Sequence, residues 1–289
     1  MTIDKPGLVY GMSDEDYHAD PIQGGSLSST FARILTRHVP AKAEAMMRNR
    51  QPTNSMTVGK AAHLSALGAG PELIVWEHDG RTKAGKAERL ERADDIASER
   101  AVAVTSAEAE QIEGMARALR ANPEVVALID SGEPEVSGFW QEGDVWCRAR
   151  FDVLGPLAYD YKTTDDASTF GFERHMETYG YHQQADFYLR GLRALGHEAG
   201  DRPFRFISQD KLEPYLVQVH TCDELAMEVA AALNDHAIEV YAKAKATGEW
   251  PGYPDLYAEP TSLPTRYFYR LADLIPSHLN PYAEPEMSM

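Results

Sequence analysis

Apolar and polar positions follow a helical period through most of residues 26–121, change to a period of two in the strands that begin at Glu135, and return to a helical period in two later segments. Residues 1–25 sustain neither period and end in the flexible PIQGGS. Ser26 to Thr30 offer N-cap side chains for a helix through Arg33, Leu35 and Arg37, which Pro40 interrupts. A small-residue helix follows in MTVGKAAHLSALGAG. Gly59, Ala62, His63 and Ala66 share one stripe of it, so another element can approach closely. Two charged, alanine-rich helices are expected around Lys86–Arg100 and Ala107–Arg120, and ANPE stops the second.

From Glu135 the pattern alternates. EVSGFW, the turn QEGD and VWCRARFDVL predict a β-hairpin. On its second strand Trp146, Arg148, Arg150 and Asp152 point one way, and Val145, Cys147, Ala149 and Phe151 the other. Gly155 and Pro156 turn the chain into a third strand, LAYDYKTT, where Asp160 and Lys162 share a face opposite Tyr159 and Tyr161. A helix from about Phe170 to Leu195 carries YGYHQQADFYLRGL. FRFISQ and YLVQVHT are two more strands, and Asp223 caps a last helix to about Thr247. The pattern predicts one α/β domain over residues 26–250, with a small mixed sheet and helices on both sides. An irregular segment (1–25) precedes it, and a Pro-rich, loosely ordered one (251–289) follows.

Composition narrows the function. The net charge of −17 argues against a protein that coats nucleic acid through bulk positive charge. Phe31 to Lys60 runs the other way. Arg33, Arg37, Lys42, Arg48, Arg50 and Lys60 stand against Glu44 alone, and the plain reading is a solvated helix face. The N-terminus lacks the basic-then-apolar order of a signal peptide, and no apolar run is long enough to span a bilayer. Only Cys147 and Cys222 are present, too few for a disulfide framework or a four-cysteine metal site within one chain. A cytoplasmic protein without membrane contact is expected.

The chemistry sits in the strands. If neighbouring strands end close together, Asp152, Asp160 and Lys162 meet. Two carboxylates on one side of a sheet repel unless a cation separates them, and hard carboxylate oxygens suit Mg²⁺, with Mn²⁺ as substitute. A lysine beside such a cation can hold an attacking water and stabilise charge growing on a phosphoryl oxygen. The tripeptide alone equally describes a surface aspartate and an Asp160–Lys162 ion pair.

The ordered set is more specific. Glu135 stands on one strand, Asp152 on the next and Asp160-x-Lys162 on a third, followed by Gln184 and Tyr188 one helical turn apart. With the segments MSDEDYHADP…SLSST, VGKAAHLSAL and FISQDKLEPYLVQV, this order resembles the PD-(D/E)xK nuclease superfamily, and within it the exonuclease VIII branch of phages and prophages. The resemblance implies a restriction-endonuclease-like core. It makes Asp152, Asp160 and the Tyr161 carbonyl metal ligands, with His63 as a further ligand, Lys162 acting on the water and Glu135 near the metals. It assigns DNA contacts to Gln184 and Tyr188. Arg148 and Arg150, on the Asp152 face, can hold phosphates, with cross-strand ion pairs as the alternative. For His63 the alternative is a polar residue satisfied between packed helices.

The activity so implied is Mg²⁺-dependent digestion of linear double-stranded DNA from the 5′ end, leaving 3′ single strands. It would take place in a bacterial cell, in a ring-shaped homo-oligomer working with a single-strand annealing recombination protein. A single-strand exonuclease, a repair endonuclease and a catalytically silent binding module are the competing readings. Asp160 stands where many of the superfamily carry glutamate. The sequence has no Walker-type phosphate loop, so it carries no ATP motor of its own.

Overall fold

The computed structural model describes residues 1–49, 54–98 and 100–254. Arg50 and residues 255–289, most of the expected Pro-rich segment, lie outside these. Met1–Gly252 forms one compact unit. Its elements in chain order are β1 (Gly7–Val9), α1 (Asp14–His18), β2 (Leu27–Ser28), α2 (Ser29–Leu35), α3 (Pro40–Arg48), α4 (Asn54–Leu67) and β3 (Glu72–Val75). Next come α5 (Lys83–Glu91), α6 (Ala93–Ala97), β4 (Ala101–Val104), α7 (Ser106–Arg120) and α8 (Pro123–Ile129). The second half holds β5 (Glu133–Glu142), β6 (Val145–Leu154), β7 (Ala158–Thr164), α9 (Thr169–Tyr179), α10 (Tyr181–Ala194), β8 (Arg205–Asp210), β9 (Val217–His220) and α11 (Glu224–Thr247).

The main sheet is mixed, in the order β1-β5-β6-β7-β8-β9, with β2 added in parallel beside β6. β7 and β8 run parallel over six register pairs from Tyr159↔Arg205 to Thr164↔Asp210. Alternation decides the layers. Ala158 and Phe206 join one apolar cluster, with Trp140, Phe151, Phe187 and Leu192, under α2, α10 and α11. Tyr159, Tyr161 and Ile207 join the other, with Val58, Ala61, Ile112, Met115 and Leu119, under α4 and α7. Small residues let α4 lie close to the sheet, with Ala61 and Ala62 buried and a Cβ on Gly59 falling 3.6 Å from Thr163. The mixed α/β fold read from the sequence is the one present.

Several elements depart from the expectation. Residues 1–25 are ordered: β1 pairs with β5, and Ser13 caps α1, whose first turn is acidic. Pro40 opens α3 as its first residue, a place where its missing N–H costs nothing. The expected helix Lys86–Arg100 is two short helices, followed by β4. β3 and β4 form a separate two-stranded parallel sheet that the sequence did not suggest. The expected helix Phe170–Leu195 is broken at Gly180, which takes the left-handed conformation, φ 70° and ψ 43°. Among the described residues no helix is long and apolar enough to cross a membrane.

Candidate active site

β6 and β7 pair only at Val153↔Tyr159 and Leu154↔Ala158. Where the ladder stops, Asp152 Oδ2 takes the place of a backbone partner and accepts the Tyr161 N–H at 2.7 Å. Across β6 the β5 ladder passes from Pro134↔Val153 to Val136↔Phe151 and skips Glu135. Glu135 has φ 56°, a conformation that costs a non-glycine residue roughly 1–3 kcal/mol and persists only where its surroundings enforce it.

His63 on α4 fills the space between the acids. Its Nδ1 lies 3.1 Å from Glu135 Oε1 and its Nε2 2.8 Å from Asp152 Oδ2. Both ring nitrogens face carboxylates, so both carry protons. Burial alone would push His63 down, but Asp152 and Glu135 outweigh it and bring its pKa up to about 10. Burial likewise opposes the charge on Asp152, yet His63, Lys162 and the Tyr161 N–H hold its carboxyl below the usual range.

Asp160 is only 2% exposed. Burial and then the Asp152 charge push its pKa up to about 6, against the pull of Lys162. Lys162 Nζ lies 2.5 Å from Asp160 Oδ2. Burial works against its charge too, but Asp160 and Asp152 hold the ammonium above its ordinary pKa. From α10, Gln184 Nε2 donates to Asp160 Oδ1 at 2.6 Å. Three acids, Glu135, Asp152 and Asp160, thus meet three cations: His63, Lys162 and Arg150.

The structure therefore brings together His63, Glu135, Asp152, Asp160, Lys162 and Gln184. It corrects the expectation for Arg148 and Arg150, whose guanidinium groups are already committed. Arg148 pairs with Asp20 and donates to Ser26 Oγ at 2.7 Å. Arg150 pairs with Glu135 and Asp14 and donates to the Met12 and Ser13 carbonyls. The ring of Tyr17 lies 5.5 Å from each guanidinium. These are the ion-pair alternative, made with acids of the N-terminal segment. Gln184 is buried rather than exposed, and Tyr188 is buried with its ring against Phe151 and Phe204. Neither offers a surface to DNA as it stands.

Two residues of the basic run from Phe31 to Lys60 have specific partners, and Arg33 is only partly exposed while Arg37 stays at the surface. Arg33 NH1 donates to the Tyr179 carbonyl at 2.7 Å, and Arg37 donates to the Thr178 and Glu177 carbonyls. They cap the C-terminal end of α9, where unpaired carbonyls favour cations. A residue the sequence reading passed over is Tyr181, whose ring centre lies 5.3 Å from Lys162 Nζ. The doublet YGY straddling the helix break was its signal.

With this geometry in hand, comparison with known families is decisive. Residues 28–258 match the family described as a PDDEXK-like domain of unknown function, DUF3799. The chain belongs to this family. The PDDEXK-like fold extends to a crystal structure from Eubacterium rectale, described as a "putative exonuclease". That structure is 12% identical, with a TM-score of 0.57 over 86% of this chain and 93% of that one. At that identity the likeness is one of fold. The structure of SSO0001, also 12% identical and covering 88% of this chain and 96% of that one, has a TM-score of 0.29 and carries no weight. No curated protein matches the chain.

The PDDEXK-like site suits a hard divalent cation by its donors, two carboxylates and an imidazole. Asp160 Oδ2 is held by the Lys162 ammonium, whereas the buried Gln184 Oε1 has no hydrogen-bond partner. Among the described residues no three acidic, histidine or cysteine side chains close around one point.

Proposed function

We propose that this protein is a divalent-metal-dependent exodeoxyribonuclease that digests linear double-stranded DNA. The observation that carries the reading is the convergence of Asp152, Asp160, Lys162 and His63 where β6 and β7 part, within a PDDEXK-like fold. Asp152, Asp160, His63 and the Tyr161 carbonyl would hold Mg²⁺ or Mn²⁺. In an extended strand the N–H and C=O of one residue leave on the same side, so the Tyr161 carbonyl faces the Asp152 side along with its N–H. When bound, the cation would polarise the phosphoryl oxygen and acidify a bound water.

The chain's own groups do the rest. His63, between Glu135 and Asp152, would have to be neutral to serve as a ligand, since only the free imidazole nitrogen can hold a metal. Gln184 fixes the Asp160 carboxylate. Lys162, ammonium at any working pH, holds the attacking water and faces the charge growing on the phosphate.

Attack from the 5′ end, a ring-shaped oligomer around DNA and an annealing partner belong to the same reading through the exonuclease VIII resemblance. An acidic exterior is compatible with a ring, since only its channel and site need attract phosphate. The test is end-labelled linear duplex and covalently closed circles, each with Mg²⁺, Mn²⁺ or chelator. Linear duplex should be digested only with metal while circles survive. Chelator-resistant digestion sinks the carboxylate–metal reading, and rapid nicking of circles points to an endonuclease instead.

A further inference from the structure

A stack of aromatic rings leads from the core, past Lys162, into solvent. Phe206 on β8 is fully buried. Tyr181 stacks on it with ring centres 5.5 Å apart and planes at 25°. Tyr179 stacks on Tyr181 at 5.7 Å and 28°. Tyr179, the outer ring, is 51% exposed. The Lys162 ammonium lies 5.3 Å from the middle ring, so Tyr179 stands no more than two such spacings from that ammonium.

The mounting is stiff. Gly180 between the tyrosines ends α9 and opens α10 in a single left-handed step. Arg33 and Arg37 fix the three carbonyls before it. The joint therefore holds Tyr179 in place, although half of that ring is in water and adds little to a core already filled by Phe172, Phe204 and Phe206. Charge beside the site is mixed, with Arg100 and Arg150 among the acids. The cavity of about 580 Å³ beside Glu135 and Arg150 is rimmed by Asp14, Glu15, Glu72 and Glu133.

We propose that Tyr179, backed by Tyr181, is a stacking platform for an unpaired nucleobase of the strand being cleaved. This rests on the nuclease reading above. Where one strand of a duplex end is drawn into a site apart from its partner, its unpaired bases meet a new stacking surface in place of the old one. An aromatic face replaces the lost stacking for any of the four bases, which suits an enzyme that must digest every sequence.

The experiment is a cycle between ring and base. Steady-state cleavage is measured for the wild type, Tyr179→Ala, Tyr179→Phe and Tyr179→Trp. The substrates are linear duplexes with an abasic nucleotide walked through the first positions from the labelled end. At one position the wild type should lose about ten-fold in kcat/KM on the abasic substrate, in line with base–aromatic stacking. Tyr179→Ala should show that loss on the intact substrate and no further loss on the abasic one. Tyr179→Phe and Tyr179→Trp should stay near wild type, and melting curves should show all four proteins folded. If Tyr179→Ala slows intact and abasic substrates by the same factor, or by none, the platform is overturned while the nuclease reading stands. If the wild type cleaves no DNA, both fall together.

Discussion

Lys162 and Asp160 touch, yet their removal should fail in different ways. Asp160→Ala should lose metal binding and activity together. Lys162→Ala removes no ligand, so metal and DNA binding should persist while turnover falls roughly 10²–10³-fold, about 3–4 kcal/mol, by analogy with a lost oxyanion-hole donor. Lys162→Arg should rescue poorly, because a planar fork cannot replace a compact ammonium beside a water. Turnover, calorimetric metal titration and a melting curve for each variant separate these outcomes. Normal turnover with early melting in Lys162→Ala would make Asp160–Lys162 a purely structural pair. At this scale the sequence was legible where charge stood inside an alternating strand, as at Asp152, Asp160 and Lys162. His63 came from the family resemblance, since a histidine on a small-residue helix does not announce its partners. Arg148 and Arg150 were misread because Asp14 and Asp20, which hold them, belong to a distant segment. Gln184 came from the family resemblance, and its hydrogen bond to Asp160 depends on how α10 lies against β7.

Helix breaks and short strands were the least legible elements. YGYHQQ has strong helical periodicity on both sides of Gly180, and one glycine in such a run is ordinarily tolerated. Here it is required, since its φ is 70° and a Cβ would stand 3.1 Å from Arg33 Cδ. Gly180→Ala should therefore destabilise the fold by about 1–2 kcal/mol for the left-handed backbone alone, measurable as a lower urea midpoint with an unchanged m-value. An unchanged midpoint would mean that the joint can rearrange. β3 and β4 were missed for a different reason. Four residues each, with Leu73 and Val75 over a third exposed, they lack the alternation that marks β6. The hairpin β5–β6 was legible because one face is buried along its whole length.

Across the whole molecule, pH should act through buried histidine as well as through the excess of acids. His220 is buried flat against Phe172, ring centres 4.2 Å apart and planes at 4°, with Nε2 2.9 Å from the Ala167 carbonyl. Burial lowers its pKa, with the Ala167 hydrogen bond partly opposing. The unfolded chain then binds the proton more readily, so this contribution is complete above the ordinary pKa of about 6.5 and is lost as pH falls below it. Melting temperatures at pH 7.5 and 5.5 should differ less in His220→Gln, which keeps a donor for Ala167, than in the wild type. An equal difference would show that His220 contributes nothing to the acid sensitivity. The sheet with helices on both faces was legible at this scale because two hydrophobic periods alternate along the chain. The ordered N-terminal segment was not, because Met12, Tyr17 and Ile22 meet their core partner Phe139, and Asp14 and Asp20 their arginines, only across more than a hundred residues of chain. Asp14 and Asp20 both precede the first residue of the family match. A chain trimmed to residues 28–258 would keep every side chain proposed for chemistry and lose the counter-ions of β6. Arg150 would then lose Asp14 and keep Glu135, and Arg148 would lose the Asp20 and Ser26 that hold it. The family boundary marks where homology begins, and the electrostatic unit starts earlier.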